Sequence, residues 1–324
     1  MRVLRTVAQT RVALQSARLQ DRTIGLVPTM GALHGGHLSL IDRARAECDL
    51  VVVSLFVNPT QFEENADLDR YPRQQQHDHE LAATAGADLL FAPTAEEIYP
   101  DGFSTSVEVL GLTDRLEGAV RGAGHFRGVT TVVAKLLNIV APDIAYFGQK
   151  DAQQAIVIRR MVEDLNMDVQ IETCPTVRDA DGLAMSSRNV RLSERERDRA
   201  LAIPRALAAA TAAAAGGERS ADALIAAARE ALRALEAEPE YVALVQADTL
   251  DPVVRLEQPT LLAIAARVGE TRLIDNAILS PDSSVASSAS SQPDFNSTFP
   301  ASQFEKQTDP RQAKPREAQA TCSA

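Results

Sequence analysis

Two histidines three residues apart, His34 and His37, sit in the run Pro28-Thr29-Met30-Gly31-Ala32-Leu33-His34-Gly35-Gly36-His37. Gly31, Gly35 and Gly36 let a backbone approach a ligand closely. The run follows a short apolar strand and precedes a helix, whose free N–H groups and positive dipole end favour phosphate. Imidazoles there can donate hydrogen bonds to phosphate oxygens and, when cationic, offset charge on a departing pyrophosphate. H-x-x-H could instead hold a metal, although no third ligand lies nearby in sequence. Surface histidines and plain turn glycines are the remaining uses. Alone, the run points to nucleotide handling.

Other residue types extend this chemistry. Lys150, in Gly148-Gln149-Lys150-Asp151, is a point charge suited to phosphate, or a solvated lysine. Gln61 and Gln154 carry donors and acceptors suited to hydroxyls and a carboxylate, or belong to a polar surface. Ser186, Ser187 and Arg188 offer hydroxyls and a forked cation to phosphate oxygens, or form a polar loop. His125 and Arg127 in GHFRG add positive charge or hold the loop. Lys135 lies mid-helix, equally at home on a surface. Asp78 is a Mg²⁺-side carboxylate or a helix-face charge. No cysteine or serine stands out as a nucleophile.

The elements that must position these groups alternate. Strands are expected at 23–27, 50–57, 88–92, 144–147 and 169–173, and helices at 36–48, 72–85, 126–140 and 151–165. LVVVSLFV (50–57) is a nearly unbroken apolar run, as in a strand buried on both faces. In helix 126–140, Val129, Val132, Val133, Leu136, Leu137 and Val140 form the buried side. Short apolar strands between helices imply a parallel sheet covered on both sides, with ligands beyond the carboxyl ends of its strands. The segments after Val27, Val57 and Phe147 are therefore where chemistry is expected.

After about Val177 the composition shifts. Ala-rich helices are expected at 193–215, opened by a Ser193/Glu196 capping box, and at 220–236. Strands follow at 241–246, 260–268 and 271–279, the last two forming a hairpin at Gly269-Glu270. The reading is α/β: a Rossmann-like domain at 1–176, a smaller α+β lid domain at 177–280, and a tail at 281–324 too poor in branched aliphatics to order itself.

The chain has 324 residues, a formal net charge of −11 and no Trp. The acidic balance argues against a nucleic-acid partner, and no apolar run reaches a membrane span. Cys48, Cys174 and Cys322 show no metal or disulfide spacing, and residues 1–22 lack the apolar region of a signal peptide. A cytoplasmic protein is expected.

His-x-Gly-His resembles the "HIGH" element of the nucleotidylyltransferase superfamily, and Met185-Ser186-Ser187-Arg188 resembles its "KMSKS"-type loop. Longer blocks resemble the pantothenate synthetase family: VPTMGALHGGHLSL (27–40), FVNPTQF (56–62), YPR (71–73), GHFRGVTTVVAKLLNIVAPD (124–143), FGQKDAQQ (147–154) and RDADGLAMSSRN (178–189). The resemblance covers about residues 1 to 280. It implies ATP-dependent joining of pantoate to β-alanine through a pantoyl-adenylate, with Mg²⁺, in a homodimer. It also implies an ATP site of Met30, Gly31, Ala32, Leu33, His34, Gly35, Gly36, His37, Gly148, Gln149, Lys150, Asp151, Val177, Met185, Ser186, Ser187 and Arg188. Among these His37 would donate the proton, with His34 and Lys150 also catalytic. Gln61 and Gln154 would bind pantoate, and Gln61 later β-alanine. The usual family pattern has Glu at positions 35 and 149, where this chain has Gly35 and Gln149; tuning of nucleotide affinity is expected. The rival readings are another nucleotidylyltransferase, opposed by FVNPTQF and FGQKDAQQ, and a nucleotide-sensing scaffold, opposed by the intact His34, His37, Lys150 and Arg188.

Overall fold

The structure is a computed structural model and describes residues 1–62, 68–69 and 71–281. The expected tail therefore lies, but for Pro281, outside the described residues.

Six strands form a parallel sheet in the order β1-β4-β3-β2-β5-β6. They are β1 (Arg2–Leu4), β2 (Ile24–Thr29), β3 (Leu50–Leu55), β4 (Leu89–Phe91), β5 (Ile144–Gly148) and β6 (Gln170–Cys174). The main helices between them are α1 (Val7–Leu19), α2 (Gly35–Glu47), α3 (Gln75–Thr84), the short α4 (Glu117–Arg121), α5 (Ala123–Val140) and α6 (Ala152–Asp164), with a further single turn at Ala95–Ile98. Strand β1 and helix α1 come from a segment whose scattered charges hide its pattern. Leu14 and Ala17 of α1 are nonetheless fully buried, and a Thr6/Gln9 capping box opens the helix.

Strand β3 shows why the sheet is covered on both sides. Successive side chains point to opposite faces. Leu50 and Val52 join the apolar cluster with α5 and α6, while Val51, Val53 and Leu55 join the cluster with α2 and α3. All six stripe residues read from the sequence of α5 are buried.

Beyond β6 the chain forms α7 (Glu194–Ala200), α8 (Ala202–Ala215), α9 (Ala221–Ala234) and an antiparallel sheet of β7 (Glu238–Gln246), β8 (Thr260–Val268) and β9 (Thr271–Leu279). One continuous helix over 193–215 was expected; the structure breaks it at Leu201 (φ −63°, ψ −10°). Pro204 explains the break, because it lacks the N–H that would bond to Ala200 and its ring crowds that carbonyl. The Ser193/Glu196 capping box is present. Strand β8 links the two units through its two faces. Leu262, Ile264, Ala266 and Val268 pack on α8 and α9, whereas Leu261 and Ala263 belong to the same apolar cluster as α5 and β5.

Candidate active site

A cleft of about 270 Å³ opens beyond the carboxyl ends of β2, β3 and β5 and is roofed by β8, β9 and the 185–188 loop. Its floor begins where β2 gives way to α2. Gly31 (φ +90°) and Ala32 (φ +52°) reverse the chain there. Asp78, 1 % exposed, holds this turn. Its two carboxylate oxygens accept the N–H groups of Ala32 (3.1 Å) and Leu33 (2.8 Å). Asp78 thus serves neither use weighed from sequence; its charge is spent on the backbone. The turn delivers Met30, His34, Gly36 and His37 to the cleft, while Gly31, Ala32, Leu33 and Gly35 stand outside its lining.

The histidines are fixed by the helix start. His34 is the N-cap of α2, and its Nδ1 accepts the Gly36 N–H at 3.2 Å. His37 Nδ1 accepts the His34 N–H at 3.4 Å. A nitrogen that accepts from a backbone N–H carries no proton, so in the neutral ring the proton sits on Nε2. The rings lie 4.2 Å apart between centroids. Burial lowers the pKa of His34, and the Lys150 charge adds to this. Burial, then His34 beside it, lowers that of His37 to about 3. Both shifts favour the neutral ring, which donates through Nε2.

From β5, Lys150, Asp151 and Gln154 face the same cleft. Lys150 Nζ lies 3.8 Å from Asp151 Oδ1. The adjacent Gln153 and Gln154 divide their work, Gln154 facing the cleft. Gln153 ties down the 112–117 segment, donating to the carbonyls of Leu112 (2.7 Å) and Arg115 (2.8 Å) and accepting the Glu117 N–H (2.9 Å). Gln149 is turned away from the cleft, with its Nε2 3.3 Å from Asn276 Oδ1 on β9. On the opposite wall Gln61 donates to Met30 Sδ (3.1 Å) and accepts from Asn58 Nδ2 (3.0 Å). Gly128 makes this wall possible: a Cβ there would stand 2.4 Å from the Thr60 carbonyl oxygen.

His125 lines the cleft, whereas Arg127 is exposed outside it and Lys135 stacks over Phe103 (4.4 Å to the ring centroid). His125 Nδ1 lies 2.9 Å from the Gln61 carbonyl oxygen, which can only accept, so Nδ1 carries the proton. Burial, with Arg121 next, depresses its pKa to about 4.

The roof is a loop held at its base. Asp179 N–H donates to Leu183 O (2.8 Å) and Met185 N–H to Val177 O (3.0 Å). Arg178 forks onto the buried Asp275 at 2.6 and 3.1 Å. Arg197 of α7 grips Asp179 and Asp181, each at 2.8 Å. Val177, Met185, Ser186, Ser187 and Arg188 then line the cleft. Tyr71, the first residue of the YPR block, reaches up to this loop. Burial raises its pKa, while the Arg188 charge and a hydrogen bond to Ser187 act the other way.

The far wall holds residues to which sequence reading gave no role. Glu117, one side of α4, accepts Arg272 Nη1 and Nη2 (both 2.7 Å), Tyr241 OH (2.7 Å) and Arg121 Nε (3.1 Å). Burial opposes its charge, but the Arg272 fork outweighs burial and brings its pKa to about 2. Arg121 is a local i+4 partner, but Tyr241 and Arg272 come from β7 and β9, and no local spacing announces them. Among the described residues, no three His, Cys, Asp or Glu side chains gather as a metal site, and no helix is long and apolar enough to cross a membrane.

Comparison with known proteins places the chain in a family. The family model described as pantoate-beta-alanine ligase matches residues 2–278. Pantothenate synthetase of Pelotomaculum thermopropionicum is 52 % identical over 283 residues, covering 86 % of this chain and 99 % of that protein. Pantothenate synthetase 1 of Bradyrhizobium diazoefficiens is 54 % identical over 284 residues, covering 86 % and 99 %. The crystal structure of pantothenate synthetase from Thermus thermophilus superposes with a TM-score of 0.82 at 49 % identity, covering 87 % of this chain and all (100 %) of that one. The pantoate-beta-alanine ligase of Francisella tularensis, solved as a complex with beta-gamma ATP and beta-alanine, gives 0.72 at 35 % identity, covering 86 % and 97 %. A family match over nearly all the described residues means that the chain belongs to the pantoate–β-alanine ligase family.

Proposed function

We propose that this protein joins pantoate to β-alanine at the expense of ATP, releasing AMP and pyrophosphate. The observation that carries this reading is one cleft with two kinds of wall. A phosphate-type strand–helix junction bears His34, His37 and Lys150, and the amides of Gln61 and Gln154 face the same space.

In the first step a pantoate carboxylate oxygen attacks the α-phosphorus. The bond to pyrophosphate breaks, and its electron pair leaves with the pyrophosphate. Little covalent chemistry falls to the protein, so positioning and charge stabilisation dominate. His37 Nε2–H, held in that tautomer by its Nδ1 contact, donates to a phosphate oxygen. Lys150, Ser186, Ser187 and Arg188 bear on the remaining oxygens. Mg²⁺ enters with ATP as part of the substrate. Gln61 and Gln154 hold the hydroxyls and carboxylate of pantoate. In the second step the β-alanine amine attacks the acyl carbon of the pantoyl-adenylate, the C–O bond to AMP breaks, and the amine proton leaves to solvent. Water would destroy that intermediate. The 177–280 unit, with its 185–188 loop, is therefore assigned the part of a cover, hinged near 175–178. A cytoplasmic homodimer completes the reading; light scattering in solution tests the dimer.

ATP–pyrophosphate exchange, with D-pantoate and Mg²⁺ but no β-alanine, tests the adenylation. Pantoate-dependent exchange, followed by AMP release when β-alanine is added, is the expected result. ATP binding without exchange would refute it.

A further inference from the structure

The second substrate is a zwitterion, so its carboxylate needs a cation that is not already committed to phosphate. Arg121 ends α4 and lines the cleft. Its side chain is 26 % exposed, and its Nε donates to Glu117 Oε2 at 3.1 Å. That carboxylate is already neutralised, because Arg272 places both Nη groups on it at 2.7 Å and Tyr241 adds a third donor. Glu240, the other acid of the cluster, accepts Arg272 Nε (2.6 Å) and Arg267 Nε (2.8 Å). Among the described residues three guanidinium groups, Arg121, Arg267 and Arg272, thus share two carboxylates, Glu117 and Glu240, and of the three Arg121 is the one that lines the cleft. Among the described residues its Nη1 and Nη2 make no hydrogen bond.

Position separates Arg121 from the other cations of the cleft. Lys150 acts electrostatically on His34 and His37, and Arg188 sits with Tyr71 and Ser187 in the roof. Arg121 instead acts on His125, the ring bonded to the Gln61 carbonyl. It therefore lies on the Gln61 side of the cleft, by the wall assigned to pantoate and apart from the cations assigned to phosphate.

We propose that Arg121 is the carboxylate-binding residue for the incoming amino acid, its free Nη pair forking onto that group while Glu117 holds Nε. A planar fork suits a carboxylate better than a lysine ammonium does. The assignment rests on the proposed pantoate–β-alanine reaction. It adds a subsite that selects an amino acid over a plain amine.

The test compares β-alanine with propylamine, an amine of the same reach that lacks the carboxylate. Parent, Arg121→Gln and Arg121→Lys proteins are loaded with ATP and pantoate, and AMP release is followed after each amine is added. In Arg121→Gln the KM for β-alanine should rise about 30- to 100-fold, the range for losing hydrogen bonds to a charged group. Propylamine should react at the parent rate, so the preference for β-alanine collapses by the same factor. Arg121→Lys should fall between. An unchanged preference would overturn the assignment. So would equal slowing of both amines, which marks a structural role, or a raised KM for pantoate in exchange with β-alanine unaffected, which would give Arg121 to the first substrate. Failure of the underlying reaction shows separately, as a parent protein without pantoate-dependent exchange.

Discussion

The two ends of the cleft are built in opposite ways. The end proposed to take phosphate is local: His34 and His37 are placed by a turn and the first residues of α2, and their tautomers are set by backbone N–H groups two and three residues away. The far end is assembled across the chain: Glu117, Tyr241 and Arg272 meet only when the antiparallel sheet docks on α4. Local construction lets the groups proposed to act on phosphate be accurate without carrying the fold. Long-range construction makes the far wall a clamp between the two units as well as a lining.

The largest expected effect breaks that clamp. Glu117→Ala leaves the largely buried Arg272 guanidinium without its fork, a loss of about 3–5 kcal/mol that urea titration should report as a lower midpoint. At the phosphate end the reverse is expected. His37→Ala should slow pantoate-dependent exchange by about 10²–10³-fold, the cost of one transition-state donor, while the urea midpoint moves little. Exchange at the parent rate would remove His37 from the mechanism. A large stability loss would erase the contrast between the two ends.

This contrast also sets what the sequence makes legible. Parallel-sheet alternation, the apolar stripe of α5 and the strand–helix junctions are patterns of period 2 or 3.6 within short windows. They can be read without knowing the fold, and so can Gln61 and Lys150 just after strand ends and Gln154 in the first turn of α6. Asp78 was visible as a residue but not as the holder of the 30–33 turn, because its partners lie 45 and 46 positions back. Arg121 and Glu117 look like an ordinary i, i+4 surface pair until Arg272 arrives from β9. Strand β1 and helix α1 were missed for another reason: their buried faces are narrow, and exposed Val12 and Leu19 blur the period.

A medium effect compares the ends through pH. His37 and His125 have folded pKa values of about 3 and about 4, both below the ordinary 6.5. The unfolded chain therefore binds protons that the folded chain refuses as pH falls below 6.5. Stability is full above that pH and is lost on acidification towards the folded values. Each ring should cost about 2 kcal/mol between pH 7 and pH 5. His125→Asn should shrink the acid-induced shift of the urea midpoint by about one such step. An undiminished shift would place the acid sensitivity elsewhere.

The smallest effect concerns Gly35, where the family pattern has Glu. A Cβ at Gly35 would stand 2.8 Å from Met185 Sδ and 3.2 Å from its Cε. The obstacle is the far end of a flexible side chain, so a methyl group can be accommodated if Met185 shifts. Gly35 itself has no positive φ to protect. The roof thus rests directly on the start of α2, and a side chain there acts on the phosphate end alone. Gly35→Ala should change the KM for ATP by about threefold to tenfold, the scale of a displaced methionine contact, and leave the β-alanine-to-propylamine preference untouched. A change in that preference would mean that the two ends communicate through the roof, and the division between a local and a long-range wall would then have to be given up.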